Sequence, residues 1–82
     1  MHYFVYIIYS VSCGKYYTGH THDLANRLTE HNSGEGNFTS KCGPWVLVWS
    51  TTLPARGDAM ALENKIKKRG AKRFLEDNLT QF

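Results

Sequence analysis

The 82-residue sequence has no long hydrophobic run: nothing in it approaches the roughly 20 consecutive apolar residues of a membrane span. Its N-terminus has neither the basic start nor the small-residue cleavage site of a secretory signal, so a cytoplasmic protein is the default expectation. Cysteine is scarce. The only two, Cys13 and Cys42, lie far apart, and no further Cys or His stands at metal-ligand spacing around either. This argues against a zinc site and leaves two free thiols in a reducing compartment as the expectation. Repeats and low-complexity segments are also missing, and the length allows one domain at most, spanning 1–82.

What the chain does have is apolar and aromatic content. Residues of apolar type make up 41% and aromatics 13%, with five Tyr and two Trp, which places the sequence among globular chains and not disordered tails. Net charge is only +3, but it is unevenly spread. Six of the ten Lys and Arg residues (Lys65, Lys67, Lys68, Arg69, Lys72 and Arg73) fall within nine positions. Such a run suits a polyanion such as nucleic acid, and equally suits a solvated helix face.

Tyr3 to Tyr9 is β-branched and aromatic on both alternating faces, the pattern of a central strand covered on both sides. Phe4, Tyr6 and Ile8 share one face; Tyr3, Val5, Ile7 and Tyr9 share the other. Turn residues from Ser10 to Gly14 lead to a short strand, Lys15 to Gly19, and the two strands form an antiparallel hairpin. Thr21 or Asp23 caps a helix running to about His31. Leu24 and Leu28 make its apolar stripe, and Arg27 and His31 fall beside that stripe, toward the sheet.

Asn32 to Gly43 reads as a loop, with Phe38, Thr39, Ser40 and Lys41 in its middle as possible substrate contacts. A third strand, Trp45 to Trp49, is apolar on both faces and pairs beside the first. A second helix opens after Pro54, runs to about Arg69 and stops at Gly70. Ala59, Leu62 and Ile66 form its stripe, with Glu63 at the margin and Lys65 and Lys68 pointing away. A last helix, about Ala71 to Leu79, packs Phe74 and Leu75 onto the domain. The resulting fold class is α/β in the α+β sense: a three-stranded antiparallel sheet flanked by helices, in the order β-β-α-β-α-α.

Tyr17 to His31 brings a phenol, a guanidinium and an imidazole together, three groups suited to phosphate chemistry. With Tyr6 and Glu63 added, the sequence resembles the GIY-YIG nuclease family, and within it the small stand-alone bacterial branch. The first signature stands here as Val5-Tyr6-Ile7 and the second as Tyr17-Thr18-Gly19. Arg27 follows Tyr17 by ten residues and His31 by fourteen, and Glu63 lies in the middle of the later helix. Val5 departs from the Gly of the first signature, but its position is a strand residue and the chemistry belongs to Tyr6. His20 occupies a position often held by Lys or His in these nucleases, and Asn78 is the candidate for an Asn that the family carries downstream of the Glu.

The resemblance implies the same strand and helix order, reached independently above, and hydrolysis of DNA phosphodiesters with one divalent ion, Mg²⁺ or Mn²⁺. Glu63 would be the sole protein ligand of that ion, and Arg27 would hold the scissile phosphate. Tyr6 is the first choice of base, activated by Tyr17, His31 or His20, with His31 as the alternative base. Lys41 and the run from Lys65 to Arg73 would track the nucleic-acid backbone. The implied setting is DNA repair, recombination or processing of structured DNA, and a protein partner or homodimer would be compatible with so small a domain. The rival reading is a nucleic-acid-binding module that keeps the fold and cleaves little or nothing.

Overall fold

The computed structural model describes residues 2–33 and 41–79. Phe38, Thr39 and Ser40, expected in the loop before the third strand, lie outside the described residues. The sheet is built on β1 (Tyr3–Ser10), flanked by β2 (Lys15–Thr21) and β3 (Trp45–Leu53) in the order β2-β1-β3, both pairings antiparallel. The first strand is central, as its two apolar faces require: Val5, Tyr6, Ile7 and Ile8 are all fully buried.

Alternation along β1 sends its side chains into two separate cores. Val5 and Ile7 pack with Ala59 and Ile66 of α2 (Arg56–Arg69) and with Phe74 and Leu75 of α3 (Ala71–Leu79). Tyr6 and Ile8 pack with Trp45 and with Leu24 and Leu28 of α1 (Leu24–Ser33). One helix therefore covers one face of the sheet, and two cover the other. The order β-β-α-β-α-α is the expected one.

Helix boundaries follow from local chemistry. Asp23 caps α1, its Oδ1 accepting from the Asn26 N–H at 3.2 Å. Gly70 ends α2 at φ 93°, a conformation that disfavours residues with a Cβ, and its N–H reaches the Ile66 carbonyl at 2.8 Å. The chain turns there and starts α3 at once.

Two expectations need revision. The third strand runs four residues beyond Trp49, and as an edge strand it leaves Val46, Leu47 and Val48 exposed, so its apolar pattern does not mean burial on both sides. Part of the reason is a register shift between Ile7 and Ile8, which places Trp49 against Ile7 but Leu47 against Ile8, with Val48 as the extra residue. The second correction concerns the cysteines, which are not free thiols: Cys13 and Cys42 form a disulfide. Sheet register brings them together. Ser10 pairs with Lys15 on one side and Trp45 on the other, so the hairpin turn and the residues entering β3 lie at the same end of the sheet. There the buried Ser10 hydroxyl donates to the Cys42 carbonyl and accepts from the Cys13 N–H.

Candidate active site

Tyr6 stands opposite Gly19 in the β1–β2 register, and the two residues share a sheet face. A Cβ on Gly19 would sit 2.7 Å from the Tyr6 hydroxyl and 2.9 Å from its Cζ. The missing side chain thus lets the phenol lie across β2 toward the outer edge of the sheet. Here the glycine of the second signature is needed for space, since its φ is ordinary.

The Tyr6 hydroxyl meets α1 at that edge. It is 2.9 Å from His31 Nε2, and the two rings are tilted with centroids 5.8 Å apart. His31 is the one buried residue of α1. Burial, with the nearby Arg27 charge, lowers its pKa below the usual imidazole value, so at neutral pH it is an uncharged ring able to accept from the phenol. Burial also pushes Tyr6 up to about 12; the Arg27 guanidinium facing its oxygen opposes this, while Tyr17 and Glu63 add to it. Tyr17 completes the aromatic cluster, edge-on to His31 at 5.1 Å and to Trp45 at 6.4 Å. Unlike Tyr6, it is half-buried and borders an open groove.

Asn32 fixes the end of α1. Its amide forms a two-point clasp with Trp45 of β3, accepting from the backbone N–H at 2.6 Å and donating to the carbonyl at 3.3 Å. This ties the turn carrying His31 to the sheet. Asn32, expected at the start of the loop, lies within α1; the signal that could have found it is an amide directly after the last inward-facing helical residue, where the backbone needs a partner.

Glu63 approaches from the other face. His20 is paired with Val5 in register, so its side chain points toward α2. There its Nδ1 hydrogen-bonds Glu63 Oε1, and Lys67 Nζ lies 2.6 Å from Oε2. Burial alone would raise the Glu63 carboxyl, but the hydrogen bonds from Lys67 and His20 outweigh it and keep the pKa below the usual carboxylate range. The site therefore wraps around β2, with Tyr6, Tyr17, Arg27 and His31 on one side of the strand and His20 and Glu63 on the other.

Among the described residues no group of three or more His, Cys, Asp and Glu is arranged to hold a metal. One ionised carboxylate nevertheless fits a hard divalent ion that keeps most of its water. To bind one, Glu63 must give up at least part of its present clasp.

The remaining sequence-predicted residues divide. Asn78 donates to the Phe74 carbonyl one turn back on α3. Arg69 makes a two-point pair with Asp77, Nε to Oδ2 at 2.8 Å and Nη2 to Oδ1 at 3.0 Å, which commits it to joining α2 and α3. Lys67 is engaged by Glu63. Lys41, Lys65, Lys68, Lys72 and Arg73 are exposed.

Comparison with known proteins agrees with this arrangement. Residues 2–76 match the GIY-YIG catalytic domain. A UPF0213 protein of Aeromonas hydrophila is 37% identical over 81 residues, covering 98% of this chain and 58% of the relative. A UPF0213 protein of Nitratidesulfovibrio vulgaris is 34% identical over 68 residues, covering 79% of this chain and 62% of the relative. The chain thus spans about three fifths of the length of these relatives. The solution NMR structure of the UPF0213 protein BH0048 from Bacillus halodurans superimposes with a TM-score of 0.56 at 33% identity, covering 99% of this chain and 84% of that one. The match over nearly the whole sequence, with the two tyrosine signatures meeting an arginine, a histidine and a glutamate at one strand edge, places the chain in the GIY-YIG family of nuclease domains.

Proposed function

We propose that the chain is a metal-dependent DNA endonuclease that hydrolyses phosphodiester bonds, acting in repair, recombination or processing of structured DNA. The observation that carries this reading is the meeting of an ionised Glu63 from one sheet face with Arg27, Tyr17 and the Tyr6–His31 pair from the other.

Arg27, permanently charged, binds the scissile phosphate and offsets the extra charge of the pentacovalent state. Its guanidinium faces the Tyr6 hydroxyl and is partly exposed, so it lies beside the phenol and open to a ligand. Tyr17 borders open space and is the phenol placed to meet an attacking water. Tyr6 is fully enclosed and pushed to about 12, which suits a positioning residue better than a proton acceptor at neutral pH. It holds neutral His31 against Tyr17, where the imidazole can take up a proton passed along the cluster. Glu63 is the residue that would hold the metal, with His20 orienting one carboxylate oxygen. Bound there, Mg²⁺ or Mn²⁺ supplies stabilisation of the leaving oxygen and of charge at phosphorus.

The test is incubation of the purified protein with single-stranded, duplex and branched DNA and with RNA, in Mg²⁺ or Mn²⁺ and in EDTA. Metal-dependent strand scission supports the endonuclease. Binding without scission under every condition favours the binding module.

A further inference from the structure

The run from Lys65 to Arg73 holds six cations in nine positions, yet two of them are committed elsewhere, Lys67 to Glu63 and Arg69 to Asp77. A different set of cations faces the site. A cleft of about 650 Å³ is lined by Tyr3, His20, Thr21, His22, Arg27 and Arg56. It brings two guanidiniums and two imidazoles together with a phenol and a hydroxyl, and no carboxylate is among the described residues lining it, although Glu30 lies 3.8 Å from the Arg27 guanidinium. Arg27 comes from α1 and Arg56 from the first position of α2, so elements from the two sides of the sheet converge on this space. Arg56 is exposed, and no ion pair is recorded for it among the described residues.

The cleft shares Arg27 and His20 with the candidate centre. His20 lines it and also holds Glu63. On the other side of Glu63, Lys67 lines a second groove of about 450 Å³ together with Tyr17 and Lys72. Glu63 is thus clasped by one residue from each groove, and the two grooves flank it at the outer edge of β2.

We propose that these two grooves form the track of one nucleic-acid strand, and that Arg56 binds the backbone phosphate neighbouring the scissile one. The strand passes from Lys72 across Glu63 and Arg27 to Arg56, and does not follow the outer face of α2 where Lys65 and Lys68 stand. This assignment rests on the nuclease reading above, and it names the substrate path through that site. Arg56 supplies a planar, bidentate donor suited to a phosphate, and Tyr3 lies in the same cleft as a ring for a sugar or base.

Fluorescence anisotropy with a labelled duplex and a labelled single strand, in EDTA to prevent cleavage and at several salt concentrations, tests the path. Arg56→Gln should weaken binding about tenfold and make the salt slope shallower by about one. Lys65→Gln and Lys68→Gln should each change affinity less than about twofold. All three positions are exposed, so unchanged thermal unfolding confirms that the variants compare folded proteins. Arg56→Gln binding like the unaltered protein, or a loss no greater than that from Lys65→Gln and Lys68→Gln, would overturn the proposed track while leaving the nuclease reading intact. Failure of the unaltered protein to bind either oligonucleotide would instead overturn the nuclease reading, and the track with it.

Discussion

At Gly19 a single methyl group would stand 2.7 Å from the hydroxyl of the fully buried Tyr6 and 3.2 Å from the Tyr17 ring, so the phenol must shift to admit it. Gly19→Ala should therefore lower stability by about 1–3 kcal/mol, measured by chemical denaturation, and reduce cleavage by displacing the phenol from His31. His31 carries a second prediction. Its folded pKa lies below that of the free imidazole, near 6.5, so between the two values the unfolded chain holds more protons. Stability must then fall as the pH drops below about 6.5 and level off once the folded ring also titrates. Unfolding free energies at about pH 7.5 and 5.5 check this, and His31→Gln should remove most of the difference. At this scale the sequence was informative about identity and silent about environment. Tyr6, Arg27, His31 and Glu63 were readable as a compound signal. That Tyr6 is enclosed while Tyr17 borders an open groove depends on how the ring crosses β2, which no spacing records.

The elements were legible where a local rule governs them. Asp23 as cap, Gly70 as stop and the two-faced first strand are short-range chemistry, and each falls where expected. The third strand was harder, because an apolar alternation is the same on an edge as in the middle of a sheet, and only the pairing order reveals that Val46 and Val48 face outward. Pairings between elements were not readable at all. The Asn32 clasp on Trp45, the Arg69–Asp77 pair and the Cys13–Cys42 bond join residues brought together by register. The disulfide closes a separation of 29 residues and holds the hairpin turn to the entry of β3. Its reduction should lower the unfolding free energy by about 3 kcal/mol, as denaturation with and without a thiol reductant would register. A Cys13→Ser, Cys42→Ser protein should match the reduced form.

For the molecule as a whole, the site exists because two helices on opposite faces of a three-stranded sheet send side chains toward residues of β1 and β2, His31 to Tyr6 and Glu63 to His20. Neither face alone holds the constellation: α1 brings Arg27 and His31, and α2 brings Glu63. The order of elements made this topology legible, while the charge distribution alone did not show that Lys67 and Arg69 of the densest basic run pair with Glu63 and Asp77, or that Arg56 lines the cleft. Glu63 is the residue proposed to hold the metal of a phosphodiesterase. The most direct measurement is the initial rate of cleavage of a labelled branched or duplex DNA against Mg²⁺ concentration, for the unaltered protein and for Glu63→Gln. A saturable Mg²⁺ dependence that falls at least about a hundredfold in Glu63→Gln, with DNA binding preserved, is the expected result. Cleavage that persists undiminished in Glu63→Gln would exclude Glu63 as the metal ligand.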